Sequence, residues 1–232
     1  MTTTPPKRVV VVGTGTAVGK TWLSCELLRA LRSKGRSILG LKPIESGVND
    51  ATATDGGELA RAAFGNQECA RALELAAPYR LAEPVSPHLA ARQSGVTIRV
   101  DQALIYVQQQ ESTTSAGRPV EVSVVETAGG LFSPLALGVT NWDLARALEP
   151  ARWLLVAPDA LGVLHDVTAT LHAARSLGRT PDAIALCRAR PADASTGTNA
   201  DEIARLGIAP RPFVFPTDGP SALARLLDVL LA

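Results

Sequence analysis

The chain has few of the residues from which metal centres and disulfide scaffolds are made: three cysteines and three histidines among 232 residues. Cys25, Cys69 and Cys187 are far apart, so they give neither a disulfide framework nor a zinc spacing, and the expectation is reduced, buried thiols acting as small hydrophobes. His88, His165 and His172 are scattered, and no metal-histidine site is expected. An excess of charge of either sign is also missing. The formal net charge is +1, so no global field argues for nucleic acid or an anionic membrane, and neither is expected as a partner. No apolar stretch approaches membrane-spanning length, and Met1 to Pro6 lacks the cationic start and apolar run of a secretory leader. The expected compartment is the cytoplasm. Repeats, low-complexity tracts and dividing linkers are absent too. With 46% hydrophobic and 19% charged residues, residues 1–232 read as one domain with a substantial core.

What is present is an alternation of short apolar strands and helical stretches. Strands are expected at Arg8 to Val12, Ser37 to Leu41, Val120 to Val125, Trp153 to Ala157, Ala183 to Cys187 and Arg211 to Phe215. Helices are expected at Thr21 to Ser33, Gly56 to Phe64, Trp142 to Leu148, Leu164 to Ser176, Asn199 to Leu206 and Ser221 to Leu231. In the first helix Leu23, Leu27 and Leu31 form an apolar stripe that Arg29 and Arg32 avoid. Such alternation implies an α/β fold: a mostly parallel central sheet with helices on both faces.

The most informative stretch runs from Val9 to Thr21, where an apolar strand leads through Gly13, Gly15 and Gly19 into Lys20-Thr21. Glycines let backbone N–H groups converge on phosphate oxygens, and a helix N-terminus adds a favourable dipole. Lys20 would neutralise terminal phosphates and Thr21 would ligate magnesium. This predicts a phosphate loop of the P-loop NTPase type. The usual pattern has glycine five positions before Gly19, where this chain has Thr14, so the turn carries one extra residue. The same letters contain a loose dinucleotide fingerprint. That reading has no use for Lys20-Thr21 and wants an acid after the second strand, where Lys42 stands.

Ligands of open parallel sheets sit beyond the carboxyl ends of the strands. Those ends supply Lys20 and Thr21, then Lys42 to Gly47, then Glu126 to Gly130, with Asp55 in the loop after the second strand. Thr21, Asp55 and Glu126 offer hard oxygens for magnesium, and two lysines balance the remaining phosphate charge. Phosphoryl transfer asks mainly for positioning and cations, without a protein nucleophile. A surface lysine is the ordinary fate of Lys42, but its place between strand end and loop favours the ligand edge. Glu126 could cap a turn, yet its place at the end of an apolar strand suits a metal. For Asp55, helix capping and metal binding are evenly balanced. His88 is given no catalytic role.

Five segments together resemble the dethiobiotin synthetase family: GTGTAVGKT (13–21), KPIESG (42–47), EPVSPH (83–88), VETAGGLFSPL (125–135) and LGVLHDVTATL (161–171). They are collinear over most of the chain, and the family's phosphate loop has the same extra residue. The resemblance implies an ATP- and Mg2+-dependent cyclo-ligase that carboxylates 7,8-diaminononanoate with CO2 and closes a cyclic urea. By position, Val18, Gly19, Lys20, Thr21, Asp55, Glu126 and Gly129 would bind the nucleotide and its metal, the metal falling to Thr21, Asp55 and Glu126. Lys42 would hold the carbamate and stabilise the transferring phosphoryl group, Lys20 would bind the β and γ phosphates, and Thr16 would face the reacting groups. Ser46, with backbone N–H groups of Gly129 and Gly130, would meet the diamine. Members of the family are homodimers, so a homodimer is expected.

The chain also departs from this family. Gly15 and Ala17 replace acids often found in the loop, Thr127 replaces a glycine and adds bulk where backbone should approach phosphate, and Cys187 stands where an asparagine usually reads adenine. A thiol cannot replace an amide's paired donor and acceptor, so other nucleoside triphosphates are expected to compete with ATP. The rival reading from another class is a positioning or partitioning ATPase of the deviant phosphate-loop group. Those proteins need a lysine early in the loop, where Thr14 and Gly15 stand. They also need a surface anchor, and Ser221 to Leu231, with Arg225 as its one cation, reads instead as a packed terminal helix.

Overall fold

The computed structural model describes residues 5–48, 54–65, 72–73, 76–115, 118–188 and 191–232; Cys69 lies outside them. In chain order, β1 (Lys7–Gly13) leads to α1 (Lys20–Ser33), β2 (Ile38–Leu41), β3 (Ile44–Ser46) and α2 (Asp55–Phe64). Then come β4 (Tyr79–Leu81), α3 (Pro87–Gln93), α4 (Val100–Glu111), β5 (Thr114–Ser115), β6 (Arg118–Pro119) and β7 (Val122–Glu126). β8 (Pro134–Ala136), β9 (Val139–Thr140), α5 (Asn141–Ala147), β10 (Arg152–Asp159) and α6 (Val163–Ser176) follow, and β11 (Ala183–Arg188), α7 (Asn199–Arg205), β12 (Phe213–Phe215) and α8 (Gly219–Leu231) end the chain.

Six strands form the central sheet in the order β12-β11-β10-β1-β7-β2, and every pairing in it is parallel. The run of valines in β1 is explained by burial on both faces, which is the lot of a strand at the centre of a parallel sheet. Successive side chains point to opposite sides. Val9 and Val11 join Leu23, Leu27 and Leu31 of α1, Leu59 of α2 and Leu226 of α8, while Val10 and Val12 join Val107 of α4, Leu144 of α5 and Val167 of α6. The expected apolar stripe of α1 is therefore core. So is that of α8, whose Ala222, Leu226, Leu227 and Leu230 are buried. No helix among the described residues is long and apolar enough to cross a membrane.

Strand order places β1 between β7 and β10, so the chain winds outward from β1 in one direction and later returns to wind in the other. Such a switch point opens a crevice at the carboxyl ends of the strands. Two further helices, α3 and α4, follow β4. Of α4 only Ala103, Tyr106 and Val107 are buried, a stripe too narrow to stand out in its glutamine-rich sequence.

Candidate active site

The loop between β1 and α1 is fixed at its first turn by two backbone bonds. Thr14 donates to the Val156 carbonyl across 3.0 Å, and Leu131 donates to that of Gly13 across 2.7 Å. A Cβ on Gly13 would come within 2.9 Å of the Gly15 carbonyl oxygen and 3.1 Å of Lys20 Nζ, so only glycine fits. Gly19 takes φ +99° as the N-cap of α1, with no side chain capping the helix. The first N–H groups of α1 are thereby left for an anion. Ala17 also adopts a left-handed backbone, at φ 57°. Lys20 Nζ donates to the Gly15 carbonyl across 3.0 Å. Burial lowers its pKa to about 8, Lys42 pushes the same way, and Glu126 and Asp55 oppose.

Opposite the loop, the register of β2 on β7 sets Leu41 beside Val125, which brings the next residues, Lys42 and Glu126, together at the strand ends. Lys42 Nζ donates to Glu126 Oε1 across 2.8 Å, and the two side chains are 6% and 0% exposed. Thr21 Oγ1 donates to the same oxygen across 2.9 Å, while Ser24 Oγ donates to Glu126 Oε2 across 3.2 Å. Lys42 also pairs with Asp55. Burial alone would lower the Lys42 pKa, but Glu126 and Asp55 outweigh it and hold the ammonium above its ordinary range. The two possible fates of Asp55 separate here. The N-cap of α2 is Thr54, whose hydroxyl accepts from Gly57 N across 3.0 Å, so the Asp55 carboxylate faces Lys42 and not its own helix.

These groups line a cleft of about 650 Å³ together with Thr16, Ala17, Val18, Gly19, Trp22, Ser46, Pro84, Ser86 and Gly129. Every residue expected at the site from the sequence therefore borders one cleft, except Gly130. Its N–H donates to Ser133 Oγ across 2.9 Å, and its α-carbon packs on the Thr14 backbone, where a Cβ would meet the carbonyl oxygen at 3.0 Å. The turn spends that N–H internally and does not offer it to a substrate. Thr127 corrects another expectation. Its side chain is buried and its hydroxyl donates to the Val11 carbonyl across 3.2 Å, so the added bulk turns into the sheet, away from the phosphate edge. Ser24 and Glu45 were not anticipated. Ser24 follows Thr21 by one helical turn, a spacing that announces a shared face.

A second cleft of about 750 Å³ adjoins the first through Gly19 and Trp22, and is lined also by Cys187, Arg188, Ala192, Phe215 and Pro216. Trp22 is 43% exposed and tilts on Phe215 with centroids 6.5 Å apart. Cys187 Sγ donates to the Gly19 carbonyl across 3.8 Å, and burial pushes the thiol up to about 12.

No group of three His, Cys, Asp or Glu side chains able to hold a metal occurs among the described residues. The hard oxygens at the loop are the Thr21 hydroxyl and the carboxylates of Glu126 and Asp55, gathered about the Lys42 ammonium. That donor set fits a magnesium ion that draws its other ligands from phosphate and water, not an all-protein cage.

A glycine loop opening a helix at the switch point of a parallel sheet, with a carboxylate closing the neighbouring strand, defines a nucleotide-binding α/β protein of the P-loop NTPase class. Solved structures agree at the level of fold. A ParA family ATPase from Chlorobium tepidum TLS superposes with TM-score 0.54 at 13% identity, covering 97% of this chain and 90% of that one. The septum site-determining protein MinD from Pyrococcus horikoshii OT3, complexed with Mg-ADP, gives 0.52 at 14%, covering 91% and 81%. A family model described as an AAA domain matches residues 7–212. The sequence is 33% identical to the ATP-dependent dethiobiotin synthetase BioD of Phenylobacterium zucineum (strain HLK1), over 97% of this chain and 95% of the relative. It is 38% identical to that of Anaeromyxobacter sp. (strain K), over 84% and 83%. The chain belongs to the dethiobiotin synthetase family.

Proposed function

We propose that this protein is a ligase of biotin biosynthesis that converts 7,8-diaminononanoate, CO2 and ATP to dethiobiotin, ADP and phosphate. The observation that carries this reading is the convergence of Lys20, Lys42, Thr21, Asp55 and Glu126 on one cleft in a chain similar to dethiobiotin synthetases along nearly its whole length. One amine of the substrate adds to the carbon of CO2 and loses a proton, giving a carbamate. A carbamate oxygen then attacks the γ-phosphorus, breaking the bond to ADP. The second amine attacks the activated carbonyl carbon, closes the cyclic urea and expels phosphate.

In this scheme the chain supplies charge and alignment, with no covalent intermediate on the protein. Lys42, buried and held protonated by its two carboxylates, is a fixed cation for the carbamate and the transferring phosphoryl group. Lys20 and the N–H groups around Val18, Gly19 and Gly129 bind phosphate oxygens, Thr16 stands beside the reacting groups, and Ser46 orients the diamine. Thr21, Asp55 and Glu126 hold magnesium, which when bound screens the phosphate charge. The proposed working form is a cytoplasmic homodimer, by analogy with the family. A positioning ATPase is not favoured, because the likeness to such proteins is confined to the fold, and Thr14 and Gly15 occupy the early loop positions where those proteins carry lysine.

The test mixes purified protein with ATP, magnesium, bicarbonate and 7,8-diaminononanoate and follows ADP and dethiobiotin. ATP turnover indifferent to the diamine, with no dethiobiotin formed, would overturn the reading.

A further inference from the structure

The first N–H groups of helix α2 have no intrahelical carbonyl to donate to; the ladder starts with Glu58 N, which donates to the carbonyl of the N-cap Thr54 across 2.9 Å. Ahead of it, Gly57 N is taken by the Thr54 hydroxyl. Asp55 N and Gly56 N both donate to the carboxylate of Glu45, across 2.6 Å to Oε1 and 3.0 Å to Oε2. Glu45 belongs to β3, three residues beyond Lys42, and is buried. Gly56 crowds this contact: a Cβ there would stand 3.2 Å from Glu45 Oε2, so the carboxylate would have to shift by a few tenths of an ångström, and in ordinary contact, 3.7 Å, with Lys42 Cβ.

One carboxylate therefore joins the segment that carries Lys42 to the first residue of the helix that carries Asp55. Asp55 is half exposed and would swing with the frayed end of α2 if that end were not held. Capping by Thr54 alone leaves the Asp55 and Gly56 donors unsatisfied, and those two lie nearest the Asp55 side chain. We infer that Glu45 is a positioning residue for the nucleotide-metal site, a two-point clamp that sets the Asp55 carboxylate over Lys42. This rests on the reading above that Asp55 serves the magnesium-nucleotide complex. Charge-assisted bonds to a carboxylate are the stronger kind, and groups that orient a metal ligand act on metal affinity at a remove.

The test measures ADP affinity by calorimetry with and without Mg2+ for Glu45→Ala, Gly56→Ala, Asp55→Ala and the Glu45→Ala/Asp55→Ala pair, with thermal melting of each. The expected result is a loss of about 10- to 100-fold in the Mg2+-dependent gain of affinity for Glu45→Ala, with Mg2+-free affinity kept. Gly56→Ala should lose in the same direction, and Asp55→Ala should add little on top of Glu45→Ala. A folded Glu45→Ala protein that retains the full Mg2+ gain overturns the clamp while leaving the role of Asp55 standing. Equal loss with and without Mg2+, accompanied by a lower melting temperature, reduces Glu45 to a structural cap and also overturns it. Should Glu45→Ala not fold, Glu45→Gln, which keeps one carbonyl acceptor and loses the charge and the second acceptor, decides by the same criterion. An undiminished Mg2+ gain in Asp55→Ala overturns both the clamp and the reading of Asp55.

Discussion

Lys42, the residue after β2, and Glu126, the last of the adjacent parallel strand β7, meet across 2.8 Å in a site where the carboxylate is wholly buried. The pair has two measurable consequences if Lys42 acts as proposed. Lys42→Ala should lower the rate of dethiobiotin formation by roughly 10²-fold or more, the scale for losing one preorganised group that stabilises developing charge. It should also lower stability by about 3–5 kcal/mol, because Glu126 is left buried without its cation. Single-turnover assays and denaturant melts separate the two effects. Near-normal turnover would remove Lys42 from the chemical step.

Gly19 is constrained twice, by φ +99° and by the Cys187 side chain, whose Cβ would lie 2.5 Å from an added methyl. Gly19→Ala should abolish ATP binding and cost at least about 1 kcal/mol for the left-handed backbone alone. Adding Cys187→Gly should relieve the clash but not the dihedral, so ATP affinity measured by titration should recover only in part. Full recovery would show that the backbone conformation is not needed.

The buried Cys187 thiol makes a prediction for alkaline pH. Its ordinary value is near 9 and its folded value about 12, so below pH 9 both states keep the proton and it contributes no slope. Between those values the unfolded chain ionises and the folded protein does not. Unfolding then releases a proton, and stability falls as pH rises, by up to about 1.4 kcal/mol per pH unit. Melting curves from pH 8 to 11 should be less steeply pH-dependent for Cys187→Ala than for wild type. Identical slopes would mean that the thiol ionises normally in the fold.

On the proposed function, the base of ATP would enter the second cleft, which Cys187 lines, and that cleft would then govern nucleotide choice. Apart from the weak Cys187 thiol, its described lining offers side-chain donors only, the Arg188 guanidinium and the Trp22 indole N–H, and donors alone pair with the acceptors that every base presents. A pocket that does not match its ligand's hydrogen-bonding groups tells apart small changes of ligand shape by only about 10- to 200-fold. The values of kcat/KM for ATP, GTP and CTP should therefore fall within that span. A preference for ATP above about 10⁴-fold would point to a base-reading group that the cleft lining does not reveal.

Most of this architecture was legible in the chain because the sheet's strands are apolar runs and α1 carries an apolar stripe. The cleft was legible because Lys20, Lys42, Asp55 and Glu126 all follow strand ends, where a parallel sheet gathers its polar residues. Orientation was not legible. A threonine after Glu126 looks like bulk at the phosphate edge until the pleat turns its hydroxyl to Val11. The Gly130 N–H looks available until Ser133 folds back on it. Glu45 escaped notice because its partners are backbone groups ten residues away, and backbone donors leave no trace in composition. Helix α4 hides its three buried residues among polar ones.

The contact of Cys187 with Gly19 couples two choices that could otherwise vary separately. Any larger residue at the end of β11 presses on the one loop glycine whose dihedral must stay left-handed, so a variant library aimed at base preference through position 187 will select first for an intact phosphate grip. Changes meant to retune nucleotide choice are better directed to Trp22 or Phe215, which line the same cleft and whose side chains do not come within 4 Å of where a Gly19 Cβ would stand.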